Sequence, residues 1–100
     1  RLMEDLRTEL AESLDRAEWE WLIPHAMRDA LVVVAPQLDI LDVGVAIAND
    51  NVTAVQHWIG EALIAKPSTH QLSDWNSDRA KQFNTLIVQP YVLVQELSAA

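Results

Sequence analysis

The sequence has 100 residues and a mass of 11.2 kDa, which is enough for one small domain. Hydrophobic residues make up 50% of the chain, and this excludes intrinsic disorder; the lack of cysteine excludes disulfides, a thiol nucleophile and sulfur-bound zinc. Fifteen acidic residues against seven basic ones give a net charge of -8, which disfavours charge-driven binding to nucleic acid.

The first part of the chain, residues 1–29, predicts two amphipathic helices. In the first helix a leucine recurs every four residues, and acidic residues occupy the other faces. These leucines are Leu2, Leu6, Leu10 and Leu14. The spacing of a capping box over Asp15–Glu18 predicts the start of the second helix, which Pro24 interrupts. The first fifty residues hold 11 acids and 4 bases, so most of the negative charge belongs to this half of the chain.

The second part, residues 30–97, predicts alternating strands and helices. The β-branched run Ala30–Ala35 predicts a buried strand, and Asp39–Asp50 has apolar residues at helical spacing. A cluster of turn and cap formers follows, and a second helix begins near Asn51. Pro67–Gln82 is polar apart from Leu72 and Trp75, and its sequence leaves open whether it forms a long wing-like loop or a helical insertion. Phe83–Leu97 is strand-like, with an interruption that Pro90 requires.

This order of elements resembles that of a winged helix-turn-helix. The segment LDVGVAIANDNVTAVQHWIGEALIAKP carries the resemblance, with the small residue Ala46 where two helices would cross and a sharp turn at Asn49–Asn51. Val55, Trp58 and Ile59 would form the core face of the second helix. We therefore expect a single α+β domain, residues 1–100, with a winged-helix-like core and an extra N-terminal amphipathic helix. The alternative is a mainly α fold with a small sheet of two or three strands.

Four segments of the chain also look like a family of small bacterial proteins that is known only as a domain of unknown function. They are WEWLIPHAMRDALVVV, LDVGVAIANDN, VQHWIGEALIAKPS and LIVQPYVLVQE, and the resemblance extends from about Leu6 to Glu96. It implies a bacterial cytoplasmic protein, and it brings no activity, ligand or catalytic residue. Two features of the sequence also favour a cytoplasmic location. The longest apolar run, Ala30–Pro36, is far shorter than the roughly 18–20 residues of a membrane span. The first ten residues, RLMEDLRTEL, do not have the pattern of a signal peptide.

A winged helix-turn-helix suggests DNA binding, with the second helix in the major groove and a basic wing on the phosphates. The side chains that would make these contacts are Asn51, Thr53, Gln56, His57, Lys66, Arg79 and Lys81. Against this function, Asn51–Ala62 contains no lysine or arginine, although most protein–DNA hydrogen bonds go to phosphate and sugar.

The sequence shows no catalytic constellation. None of the five serines lies in a Gly-x-Ser-x-Gly turn, and two glycines cannot form a glycine-rich phosphate loop. Three histidines, His25, His57 and His70, lack the spacing of a metal site, although His57 and Glu61 share one helix face. We expect no enzyme, no cofactor and no bound metal, and an enzyme or a metal-binding protein is the least favoured of the alternatives.

The function that the sequence favours is a non-catalytic protein-interaction or dimerisation module. A chain of this size buries only about 60–70% of its unfolded surface, so its abundant apolar residues predict a partner. We expect a homodimer or a complex with another protein. The predicted interface comprises Leu2, Leu6, Leu10, Leu14, Trp21 and Trp75, because tryptophan in polar surroundings is typical of interfaces.

Overall fold

Ten segments of regular structure follow one another along residues 3–97, the part of the chain that the computed structural model describes, with side chains from residue 5 onward. They are α1 (Met3–Ser13), β1 (Asp15–Glu18), α2 (Trp19–Met27), β2 (Leu31–Val34), α3 (Ile40–Ala48), α4 (Val52–Gly60), β3 (Ile64–Ala65), α5 (Thr69–Asn76), β4 (Gln82–Val88) and β5 (Tyr91–Glu96). The mixed α and β class that the sequence predicts is confirmed.

The strands form one sheet in the order β1-β4-β5-β2-β3. β4 and β5 form a hairpin around Gln89–Pro90, so Pro90 does break the strand-like segment. β5 runs parallel to β2, with Leu31 opposite Val92, and all other neighbouring strands are antiparallel. Five strands exceed the two or three of the mainly α alternative, which is therefore wrong.

Alternation along the strands gives the sheet two apolar faces, and helices cover both. On one face α2 and α5 enclose a cluster that we call the aromatic core, centred on Trp19, Trp75 and Phe83. On the other face α1, α3 and α4 pack on an aliphatic core that includes Val43 and Leu86. The sheet is therefore the middle of three layers, with helices on both of its faces.

Helix α1 uses its leucine stripe inside the domain. Leu6 is buried, and Leu10 packs against the aliphatic core. Arg7 holds the helix to the start of α3, where it donates to Asp39 at 2.8 Å and also contacts Asp42. The expectation that Leu6 and Leu10 face a second copy is therefore wrong, because α3 and the sheet already cover them. Leu2 lies outside the described residues.

Asp39 has two roles at this junction. Its carboxylate accepts a hydrogen bond from the Leu41 N–H at 2.9 Å, which caps the N-terminus of α3. Burial of the carboxyl group favours a higher pKa, but the hydrogen bonds from Leu41 and Arg7 outweigh it and hold the pKa of Asp39 below its usual range.

The segment Asp15–Glu18 is a strand and not the start of a helix. It pairs antiparallel with β4, with Ala17 opposite Phe83. The side chain of Glu18, which immediately precedes α2, makes no capping hydrogen bond. The capping-box prediction is wrong because a residue spacing carries no information about a strand partner more than sixty residues away.

The helix pair α3 and α4 forms as predicted, with Asn51 as the cap of α4, but the sheet is not that of a winged helix. Strands that flank a wing would pair with each other, whereas β3 pairs with β2, and β4 pairs with β1 and β5. Between them lies α5, which begins at a capping box of Ser68 and Gln71. Pro67–Gln82 is thus a helical insertion, and the resemblance to a winged helix ends at α4.

Candidate binding groove

An apolar groove of about 600 Å³ lies beside α4, and we call it the α4 groove. It lies between α4, the end of α3 and the sheet end where β5 begins. Its lining consists of Val32, Ala46, Ile47, Asp50, Asn51, Val52, Val55, Gln56, Ile59, Ala62, Ile64, Ala65, Lys66 and Tyr91. Most of these side chains are aliphatic, and the polar ones stand at the rim.

Helix α4 is apolar on more than one side, and the fold covers only one of them. Val55 and Trp58 pack against the aliphatic core, whereas Val52 and Ile59 are 59% and 57% exposed. Residues seven apart lie on the same face of a helix, so these two side chains form one exposed apolar ridge along the groove. The prediction that Ile59 belongs to the core face is wrong.

Two turns set the position of α4. Asp50 precedes the helix and Ala62 follows it. Both residues adopt the left-handed backbone conformation, with φ angles of 54° and 58°. The Asn51 N–H donates to the Ala46 carbonyl at 2.8 Å, and the Leu63 N–H donates to the Trp58 carbonyl at 2.8 Å. These bonds terminate α3 and α4 abruptly, so that the two helices and β3 enclose the groove.

The rim of the groove is not positively charged. Lys66 lines one end, and its ammonium group forms an ion pair with the Asp29 carboxylate. Asp50 adds a carboxylate at the start of α4, and the Tyr91 ring forms part of the wall on β5. An apolar floor with a neutral to acidic rim suits an apolar ligand that carries positive charge at its edges.

The side chains predicted for DNA contact do not share one surface. Four of them, Asn51, Thr53, Gln56 and His57, are exposed on α4, and the Asn51 oxygen accepts from the Ala54 N–H as the helix cap. Lys81 lies at the other end of β5, where it pairs with Glu96 at 3.3 Å and stands over the Phe83 ring. Arg79 is close to Lys81 in the chain, so the predicted phosphate contacts are split between opposite ends of the sheet.

The remaining predicted interface residues differ in exposure. Trp75 is only 3% exposed, and the expectation that it faces a partner is wrong because its indole completes the aromatic core. Trp21 is 72% exposed and Leu14 is 38% exposed, so both are on the surface.

The three histidines lie apart. His25 contacts Arg28, His70 pairs with Asp74 at 3.2 Å, and His57 is exposed on α4. Within residues 5–97 no three histidine or acidic side chains are close enough to hold a metal ion. In the same part of the chain, no helix has the length and hydropathy needed to cross a membrane.

Sequence reasoning missed the α4 groove. The sequence did contain one sign of the groove, because α4 has more apolar residues than a single packed face requires. These residues are Val52, Val55, Trp58 and Ile59. Tyr91 gave no such signal, because its approach to α4 depends on the parallel pairing of β5 with β2.

Residues 5–96 match the family described as "Protein of unknown function (DUF2288)". The chain belongs to DUF2288. The family resemblance that the sequence predicts is therefore confirmed over nearly the whole chain.

The fold of this DUF2288 domain is similar to the NMR solution structure of PA1075 from Pseudomonas aeruginosa. The two share 26% sequence identity with a TM-score of 0.81, over 95% of this chain and 87% of that chain. No functionally curated protein matches the sequence. These likenesses establish the family and the fold.

Proposed function

We propose that this DUF2288 domain is a non-catalytic protein-interaction module. The α4 groove would bind a helical segment of a partner protein, with apolar side chains on one face and lysine or arginine on both sides of that face. The observation that carries the proposal is the ridge of Val52 and Ile59, two aliphatic side chains exposed along an open groove.

The apolar part of the proposal rests on surface that the fold itself leaves uncovered. Complete burial of a valine or isoleucine side chain is worth about 1.5–3 kcal/mol. Val52 and Ile59 are both more than half exposed, so a partner that covers them would recover roughly half of that amount from each. A groove between two helices and a sheet end is a geometry that receives the apolar stripe of an amphipathic helix.

The charged part of the proposal rests on complementarity. The protein carries a net charge of -8, and Lys66, the cation that lines the groove, is neutralised by Asp29. A basic segment would be attracted by this field and steered toward the groove, whereas an acidic segment would be repelled. The same charge distribution opposes the DNA-binding alternative, because phosphate contacts need clustered cations.

The test is a titration with two designed peptides of about fourteen residues, which as helices are roughly 21 Å long. Both carry leucines at helical spacing; one has lysine at the flanking positions and the other has glutamate. Binding is followed by amide chemical shifts of the labelled protein. We expect the lysine peptide to bind with a dissociation constant of roughly 1 μM to 1 mM and to shift the resonances of the α4 groove.

Two isoleucine variants separate the groove from general hydrophobicity. Ile59→Gln removes part of the ridge, and Ile87→Gln is its control, because Ile87 is 53% exposed but lies on the opposite face of the sheet. We expect only Ile59→Gln to weaken binding. Equal binding of the two peptides would contradict the charge argument. If 8-anilinonaphthalene-1-sulfonate binds in the groove and neither peptide does, the groove is a small-molecule site and the proposed function is wrong.

A further inference from the structure

Strand β1 is an edge of the sheet, with β4 on one side only. The Trp19 N–H continues the ladder by donating to the Lys81 carbonyl at 2.8 Å. Backbone groups alternate in direction along a strand, so Ala17 and Asp15 also point their N–H and C=O toward β4. The backbone groups of Arg16 and the Glu18 N–H therefore point away from the sheet, along its open edge, whereas the carbonyl of Glu18, the N-cap of α2, begins the hydrogen bonds of that helix.

We propose that a second copy of this chain pairs antiparallel with β1 about a two-fold axis at Ala17. This register places Arg16 of each copy opposite Glu18 of the other. The Glu18 N–H of each copy then donates to the Arg16 carbonyl of the other, so the register forms two backbone hydrogen bonds across the axis. It also places opposite charges directly across from each other, twice, and such cross-strand pairs favour the register.

The exposed apolar side chains at the two ends of the strand fit the same symmetry. Leu14 precedes β1 and Trp21 follows it, at 38% and 72% exposure. Trp21 lines a depression of about 320 Å³ with Arg16, Ala17, Glu18 and Gln82, on the outermost strand pair of the sheet. Rotation about Ala17 brings Trp21 of one copy to the end of the strand where Leu14 of the other lies, so each end of the interface gains an apolar contact.

Three features make this association weak. The paired strands have four residues each, and each copy carries a net charge of -8. In the single chain the Arg16 N–H already donates to the Asp15 carboxylate at 2.8 Å, and the Glu18 carbonyl begins the bonds of α2, so only the Glu18 N–H donates across the axis. We therefore expect a dissociation constant of roughly 0.1–1 mM, as for the smallest transient interfaces.

The test uses charge exchange. Arg16→Glu places two like-charged pairs across the axis, and so does Glu18→Arg, whereas the double variant restores opposite charges in reversed order with the wild-type net charge. Sedimentation equilibrium from roughly 0.02 to 2 mM should show dimer formation by the wild type and by the double variant. Each single variant should associate at least about tenfold more weakly. Far-UV circular dichroism checks that all four proteins are folded.

A sample that mixes labelled and unlabelled chains gives a second readout. Ala17 opposite Ala17 is a non-hydrogen-bonded pair with Cα atoms about 4.5 Å apart, so we expect an intermolecular Hα–Hα contact. A wild-type monomer throughout the concentration range would overturn the proposal. So would a dimer that Arg16→Glu leaves unchanged, or a folded double variant that stays monomeric. The β1 edge is at the opposite side of the sheet from β3 and the α4 groove, so either proposal can fail without the other.

Discussion

Replacing Trp75 with alanine tests whether this residue belongs to the core or to an interface. Trp75 lies 5.1 Å from the Trp19 ring and 4.9 Å from the Phe83 ring, measured between centroids. α5 is otherwise mostly polar, and Leu72 and Trp75 are the residues with which it packs on the aromatic core. The indole of Trp19 also donates to the Asn76 side chain at 2.8 Å. Loss of Trp75 therefore leaves a cavity and loosens the helix.

The cost of this replacement follows from burial. A buried tryptophan replaced by alanine lowers the free energy of unfolding by about 3–5 kcal/mol, and this includes the lost contacts between aromatic rings. A domain of this length has roughly 5–15 kcal/mol of stability in total, so the variant loses a large share. Trp75→Phe keeps one ring and should lose less, and it remains measurable if the alanine variant does not fold.

The assay is urea unfolding followed by far-UV circular dichroism, with Trp21→Ala as the control. With a slope of about 1–3 kcal/mol per molar urea, the Trp75→Ala midpoint should fall by about 1–5 M. Trp21 is exposed, so its replacement should change stability by no more than about 0.5 kcal/mol. A Trp75→Ala protein within about 1 kcal/mol of the wild type, or a Trp21→Ala protein that loses as much, would refute the assignment of Trp75 to the core.

Two further predictions concern α3. A Cβ at Gly44 would lie 2.6 Å from the Cδ2 of buried Leu86, so Gly44→Ala should lower the melting temperature by at least about 4 °C in calorimetry despite its better helix propensity. Gly60→Ala meets no atom within 4 Å and should raise it; the same sign for both would contradict the packing argument. The second prediction concerns acid stability. Because the pKa of Asp39 is lowered in the folded protein, its carboxylate stabilises the fold at any pH above the ordinary carboxyl pKa. This stabilisation is lost as the pH falls through the folded-state pKa of Asp39. In Arg7→Gln the pKa of Asp39, measured by NMR, should rise toward its usual value; an unchanged pKa would show that Arg7 does not hold it down.

The helices were the most predictable part of the fold. Leucine spacing located α1, and the turn formers around Asn51 located the boundary between α3 and α4, since both signals act within a few residues. The sequence did not decide whether α5 is a helix, because only Leu72 and Trp75 mark its apolar side. Its capping box at Ser68 was readable, but eight mostly polar residues do not form a helix without a core to pack on.

The candidate surfaces were partly predictable. Trp21 and Leu14 are on the surface, as an interface requires, and their predicted role remains a proposal. Trp75 could not be distinguished from Trp21 by its neighbours in the chain, because both have acidic or polar residues beside them. The difference arises from Phe83 on β4, which packs against the Trp75 indole and so helps to bury it. The Trp21 indole has no such buried site.

Local sequence by itself determined α1, the boundary between α3 and α4, the break at Pro90 and the acidic character of the first half, and the sequence as a whole determined membership of DUF2288. All of these except the family membership depend on composition and on spacings of a few residues. Only the tertiary structure decided that Asp15–Glu18 is an edge strand, that β3 joins β2 and not β4, and that Val52 and Ile59 stay uncovered. Strand pairing joins residues that are far apart in the chain, so local sequence does not specify the partner of a strand. Helix α4 has more apolar surface than its neighbours cover, and which side stays exposed depends on where those neighbours pack.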